Sequence, residues 1–125
     1  MNRRLSRPAR IIAFIESLKL TSGTYAGKPF KLRGWQKRRI ILPLYRVRRQ
    51  RLIVRTILVT MARKNGKTQI AAALALCHLA GPEAQRRGEV YSAASDRNQA
   101  ARIFRELEAM ILADPDLSER CNIQR

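Results

Sequence analysis

"MARKNGKTQIAAALAL", residues 61–76, decides how this chain is read. Gly66, Lys67 and Thr68 supply the closing half of a phosphate-binding loop. Such a loop needs backbone N–H groups turned toward phosphate oxygens, a lysine reaching the β/γ oxygens, and a hydroxyl for Mg²⁺. Met61 stands where these loops carry their first glycine, the residue that eases the sharp turn out of the preceding strand. Ala62, Arg63, Lys64 and Asn65 fill the four intervening positions. Asn65 tolerates left-handed backbone geometry, so the turn into Gly66 is feasible. Arg63 and Lys64 crowd positive charge around a nucleotide, and one of them could stabilise charge on a transferring γ-phosphoryl group.

The context of the tripeptide discriminates more than the tripeptide itself. Ahead of it, Leu52 to Met61 is nearly continuously apolar, broken only by Arg55 and two threonines, as in a buried parallel strand. The basic stretch "RVRRQR" before that run reads as a solvated strand or turn. After the loop, Thr68 to Leu79 sets Ile70, Leu74 and Cys77 at helical spacing with alanines between them, and an Ala-rich helix of this kind can lie very close to a sheet. Gly81 and Pro82 stop that helix. A helix following a strand through a glycine turn directs its N–H groups and dipole at a phosphate.

Further out, residues 9 to 20 place Ile11, Ile12, Ile15 and Leu18 on one helical face. "TSGTYAGKPFKLRG" reads as an extended loop, long for a mere connector. "WQKRRIILPLY" resumes a short helical pattern that Pro43 kinks or ends. "VYSAAS" reads as a second strand. Asp96 with Gln99 makes a capping box for a helix to about Ala113, with Ile103, Phe104, Leu107, Met110 and Ile111 as its buried face and Asp114-Pro115 as its end. Strand, loop, helix, strand, helix is the opening of a parallel α/β sheet.

Composition bounds the partners. Residues 1 to 82 hold 19 Lys/Arg against one acid, Glu16, while the remaining 43 hold 7 against 8 acids, for a net charge of +17 overall. An imbalance this uneven is a phosphate-backbone footprint, although arginine-rich solvated faces and a GC-rich genome produce similar counts. Cys77 and Cys121 lack metal-ligand spacing and His78 is the only histidine, which excludes a zinc site and a disulfide framework. Cys77 reads as a small core residue. No apolar run is long enough for a membrane span, and the arginines of "MNRRLSRPAR" precede an amphipathic segment, so a reducing, intracellular compartment is expected.

Taken together, "ARKNGKT", "GTYAGKPFKLRGWQ" ahead of it and "EVYSAASDRNQAARIF" behind it resemble, in order, the amino-terminal part of the large terminase subunit of tailed bacteriophages. That family is the ATPase that drives DNA into procapsids, and its phosphate loop is a deviant one containing an arginine, which accounts for Met61. The resemblance implies that Lys67 contacts the β/γ-phosphates of ATP and that Thr68 ligates Mg²⁺. It implies that Lys64, Asn65 and Gly66 lend backbone N–H groups, and that Arg63 is the catalytic residue sensing or stabilising the γ-phosphate. Gln36, in "GWQ", resembles the adenine-contacting glutamine, with Trp35 beside it as a packing residue. "SAASDRNQA" resembles a helicase-like motif coupling nucleotide state to DNA contact, and it reads equally as a strand end and a capped helix.

The implied fold is α/β: an incomplete P-loop NTPase (ASCE-type) parallel sheet with flanking helices, preceded by an amino-terminal helical segment. Residues 1–50 form the helical and adenine-motif segment, and residues 51–125 form the leading part of the ATPase domain. No apolar run ending in Asp-Glu follows the loop, and a nuclease cluster is absent too, so ATP hydrolysis by this stretch alone is not expected. The implied partners are double-stranded DNA, the portal protein, the small terminase subunit and further copies in a ring, in the bacterial host cytoplasm. "RVRRQR" could meet DNA, the portal or a neighbouring subunit. Two other readings stay open: a basic nucleic-acid-binding module with a degenerate P-loop, and the leading fragment of a helicase-like ATPase.

Overall fold

The computed structural model describes residues 5–21, 23–62 and 66–124. Helix α1 (Arg7–Ser17) starts at Ser6, whose hydroxyl accepts from the Ala9 N–H, with Pro8 in the first turn. Ile11, Ile15 and Leu18 are fully buried, on the face expected from their spacing. The glycine-rich segment after it is no free extended loop. Phe30 N–H donates to Leu18 O at 2.7 Å and Leu20 N–H to Lys28 O at 2.9 Å, so the chain folds back on the end of α1 and buries Phe30 and Leu32.

Residues 34–44 are helical throughout, as α2 (Gly34–Gln36), a wide π turn (Lys37–Ile41) and α3 (Leu42–Leu44). The run passes through Pro43 and ends one residue later, at Leu44. In a regular α-helix the proline ring would press on the carbonyl of Arg39; the π turn immediately before it opens the spacing, with Leu42 N–H bonding to Lys37 O. A tight hairpin follows, β1 (Val47–Arg48) paired antiparallel with β2 (Arg51–Leu52). This matches the solvated strand or turn expected of "RVRRQR".

The long helix α4 (Lys67–Ala80) buries Ile70, Ala72, Ala73, Leu76 and Cys77. It packs against α5 (Arg97–Leu112) and α1, so helices rather than a sheet take up its alanine surface. Asp96 caps α5, its carboxylate accepting the Gln99 N–H at 2.9 Å. Gly81 ends α4 where a Cβ would come within 2.9 Å of Cys77 and Phe14 atoms. Asp114-Pro115 does more than stop α5: Asp114 caps a further helix, α6 (Pro115–Arg120), which buries Leu117.

The two parallel strands expected from sequence carry no ladder among the described residues, where β1–β2 is the only sheet. From Ile53 to Ala62 the chain is irregular, yet Val59 and Met61 pack on the core while Thr60 between them is exposed and Leu58 just before them is 91% exposed. That is the alternation of a strand with one face seated and neither edge paired. Residues 89–95 are also irregular, with Tyr91 83% exposed. A buried parallel strand needs neighbours on both sides, and among the described residues neither segment is paired with one. Phe104 departs from its expected burial and is half exposed beside α4.

Unpaired, apolar strand-type segments make the 125-residue chain marginal by itself. Calorimetry with light scattering is expected to show a broad, weakly cooperative transition and self-association rising with concentration. A sharp two-state transition of a stable monomer at high concentration would contradict this.

Candidate nucleotide site at the start of α4

Gly66 is the N-cap of α4 with φ +79 and ψ 20, a left-handed conformation that glycine adopts without the Cβ penalty. The sequence reading assigned left-handed tolerance to Asn65; in the structure Gly66 itself takes that geometry. Gly66 brings no side chain to cap the first turn of this 14-residue helix, and among the described residues no cap hydrogen bond to it is seen, a start that suits an anion. Lys67 is exposed and Thr68 half-buried on that turn. Arg63, Lys64 and Asn65 lie outside the described residues.

The fold brings Gln36 to this turn across thirty residues of sequence. Its side chain is buried, its Oε1 accepts the Arg33 N–H at 2.9 Å, and its Nε2 lies 3.9 Å from the point a Cβ on Gly66 would occupy. Gln36 thus closes the first turn of α2 and stands beside the loop at once. Trp35 is half-buried against the core, in its expected packing role.

Three interactions that hold this arrangement escaped the sequence reading. The Arg7 guanidinium grips the Glu83 carboxylate through Nη2–Oε1 at 2.5 Å and Nε–Oε2 at 2.8 Å, tying the start of α1 to the loop after α4. Tyr45 Oη and His78 Nε2 are 2.8 Å apart with their rings stacked, linking the end of α3 to α4. Glu16 accepts the Leu32 N–H and pairs with Lys37 at 3.6 Å, fixing the approach to α2. All three pairs are long-range, and no local pattern marks them. Burial, reinforced by Cys77 and Glu83, pushes the Tyr45 hydroxyl far above its ordinary range. Burial also lifts the Cys77 thiol from its ordinary 9.0 up to about 11.

A separate apolar cavity of about 300 Å³ lies between the end of α4 and α5, lined by Leu76, Leu79, Phe104, Leu107, Ile111 and Ile123. It contains none of the expected site residues. No group of metal-ligating side chains occurs among the described residues, and no helix there is long and apolar enough to cross a membrane.

A family model described as "Terminase large subunit, ATPase domain" matches residues 34–123, a span holding Gln36, the Gly66 turn and α5. The chain belongs to the terminase large-subunit family. The large terminase subunit of Enterobacteria phage HK97 is 36% identical over 120 residues, covering 95% of this chain and 23% of that protein. The crystal structure of the HK97 bacteriophage large terminase superposes with a TM-score of 0.78 at 32% identity, over 96% of this chain and 24% of that one. The chain therefore spans about a quarter of the length of these terminases.

Two outcomes test this local geometry. Gly66→Ala meets only ordinary contacts at 3.9 Å but sits on a left-handed backbone, so it is expected to cost about 1 kcal/mol and raise hydrogen exchange in the first turn of α4, with Gly66→Asn milder. An unchanged exchange rate would contradict that conformation. The Cys77 thiol stays protonated in the fold while an unfolded thiol ionises. Stability is therefore full below pH 9.0 and is lost as pH rises through about 11. Alkylation at neutral pH should reach Cys121, which is half exposed, well before Cys77; equal rates would contradict the burial.

Proposed function

We propose that this chain is the ATP-binding part of a phage DNA-packaging motor, the leading portion of a terminase ATPase domain. The observation that carries the reading is the uncapped start of α4 behind a left-handed Gly66, inside the stretch matched by the ATPase-domain model. Such a turn fits a phosphate: its backbone N–H groups need an acceptor, and the helix dipole favours an anion there. ATP with Mg²⁺ supplies the phosphoryl chemistry when bound; everything else falls to the chain.

In this reading Lys64, Asn65 and Gly66 donate backbone N–H groups to the phosphates. Lys67 neutralises the β/γ oxygens, and Thr68 offers its hydroxyl to the metal. Arg63 stabilises charge on the γ-phosphate. Gln36 contacts adenine in this reading, supported by its amide nitrogen standing near the loop while its carbonyl oxygen accepts from Arg33 N–H. Residues 1–50 form the adenine-side segment, and residues 51–125 open the ATPase domain. Residues 53–62 and 89–95 take their places in a parallel sheet when further strands flank them. That accounts for the alternation of exposed Leu58 and Thr60 with packed Val59 and Met61 on an unpaired segment.

The partners in this reading are duplex DNA, portal, small terminase subunit and a ring of like subunits, in the host cytoplasm. The basic first 82 residues suit the first of these.

Lys67→Ala decides between a nucleotide-binding motor part and a basic module that merely holds nucleic acid. With a fluorescent ATP analogue and Mg²⁺, the unaltered chain is expected to bind and the variant to lose about tenfold or more in affinity, one charge-assisted contact being worth that much. DNA affinity should persist. No nucleotide binding by the unaltered chain, or identical binding by the variant, would favour the basic module.

A further inference from the structure

The β1–β2 hairpin has features that nucleotide binding does not use. Its register pairs Val47 with Leu52 and Arg48 with Arg51. Side chains alternate across a strand, so Arg48 and Arg51 share one face and Val47 and Leu52 the other. Leu52 packs on the core while Val47 opposite it is 39% exposed, and Arg48 and Arg51 are both exposed. Like charges directly opposite one another weaken a hairpin.

The turn adds a second local cost. Arg49 and Gln50 lie at φ 51 and 66, two successive non-glycine residues in the left-handed region. Tight hairpin turns of this hand favour Asn-Gly; here an arginine occupies the tip instead. Among the described residues, none of Arg48, Arg49 and Arg51 has an ion-pair or hydrogen-bond partner for its guanidinium. Glu16, the one acid in the first 82 residues, is already engaged by Lys37 and the Leu32 N–H. The counter-charge for this hairpin has to come from outside the segment.

We infer that the 47–52 hairpin is a phosphate-backbone contact for duplex DNA, with Arg48 and Arg51 straddling successive phosphates and Arg49 reaching from the tip. This rests on the proposed function for its choice of polyanion. Planar guanidinium groups bond phosphate oxygens in bidentate fashion, and opposed arginines cease to repel once an anion lies between them. A backbone contact reads no base sequence, which suits a surface made of arginines without interleaved aromatic residues.

The test compares two triple variants of the 125-residue chain, at concentrations where it stays monomeric. One replaces Arg48, Arg49 and Arg51 by Gln; the other replaces Arg86, Arg102 and Arg105, which are also exposed, by Gln and so removes equal charge elsewhere. Binding to fluorescent duplexes of several unrelated sequences is titrated across NaCl concentrations, with ATP-analogue binding measured in parallel. The hairpin variant should lose about tenfold or more in DNA affinity. Its plot of log affinity against log salt should be shallower by about 2 to 3, near 0.9 per lost phosphate contact, equally for every sequence. The other variant should change less in both quantities. The proposal is overturned if the unaltered chain does not bind duplex DNA, if the hairpin variant keeps its salt slope, or if both variants lose equally. Loss of binding to polyglutamate with DNA binding intact would also overturn it and point to an acidic protein partner. Absent ATP binding alongside the expected DNA result would remove the nucleotide reading and leave the hairpin assignment standing.

Discussion

An apolar helix with little solvent face must be covered along most of its length, and α4 is that helix. Ile70, Ala72, Ala73, Leu76 and Cys77 are all buried, which forces α1 and α5 against it and builds the core cluster of the described residues. The small alanine side chains leave room for those neighbours to approach. Where α4 begins is set by Gly66, whose left-handed backbone turns the incoming chain into the helix and leaves the first-turn N–H groups without a side-chain cap. One element therefore organises both the packing of the core and the left-handed turn at its start.

The remaining contacts hold α4 against the segments before and after it. Arg7 with Glu83 closes α1 onto the loop beyond α4, and Tyr45 with His78 closes the π-turned helix onto its side. Both are half-buried, where breaking one partner leaves the other uncompensated. Through them, the position of Gln36 beside Gly66 follows from packing at a distance. The site is assembled by the core, with residues from α2 and α4 meeting because both helices are anchored elsewhere.

Local signals carried most of what could be read in advance. The α1 face, the Asp96 cap, the Gly81 stop, the burial of Cys77 and the family itself were legible because each depends on residues a few positions apart. The π turn was not, since the clash of Pro43 with Arg39 predicts a break and only the neighbouring turns reveal how it is absorbed. Phe104 was assigned to a buried face by its spacing, yet the cavity it lines leaves it half exposed. The apolar run of residues 52–61 was legible, and the structure adds the alternation of Leu58, Val59, Thr60 and Met61 between exposed and packed. Pairing is a property of neighbours, and no neighbouring strand is present for it among the described residues. Long-range ion pairs such as Arg7–Glu83 leave no local trace at all.

The central claim is that the turn ahead of α4 holds nucleotide. Hydrogen exchange followed by mass spectrometry, on the chain with and without Mg²⁺ and ATP, tests it most directly. The account predicts slowed exchange in peptides covering residues 61–70 and at Gln36, with residues 104–112 beside the apolar cavity unchanged. Unaltered exchange at residues 61–70, or protection confined to the cavity between α4 and α5, would contradict it.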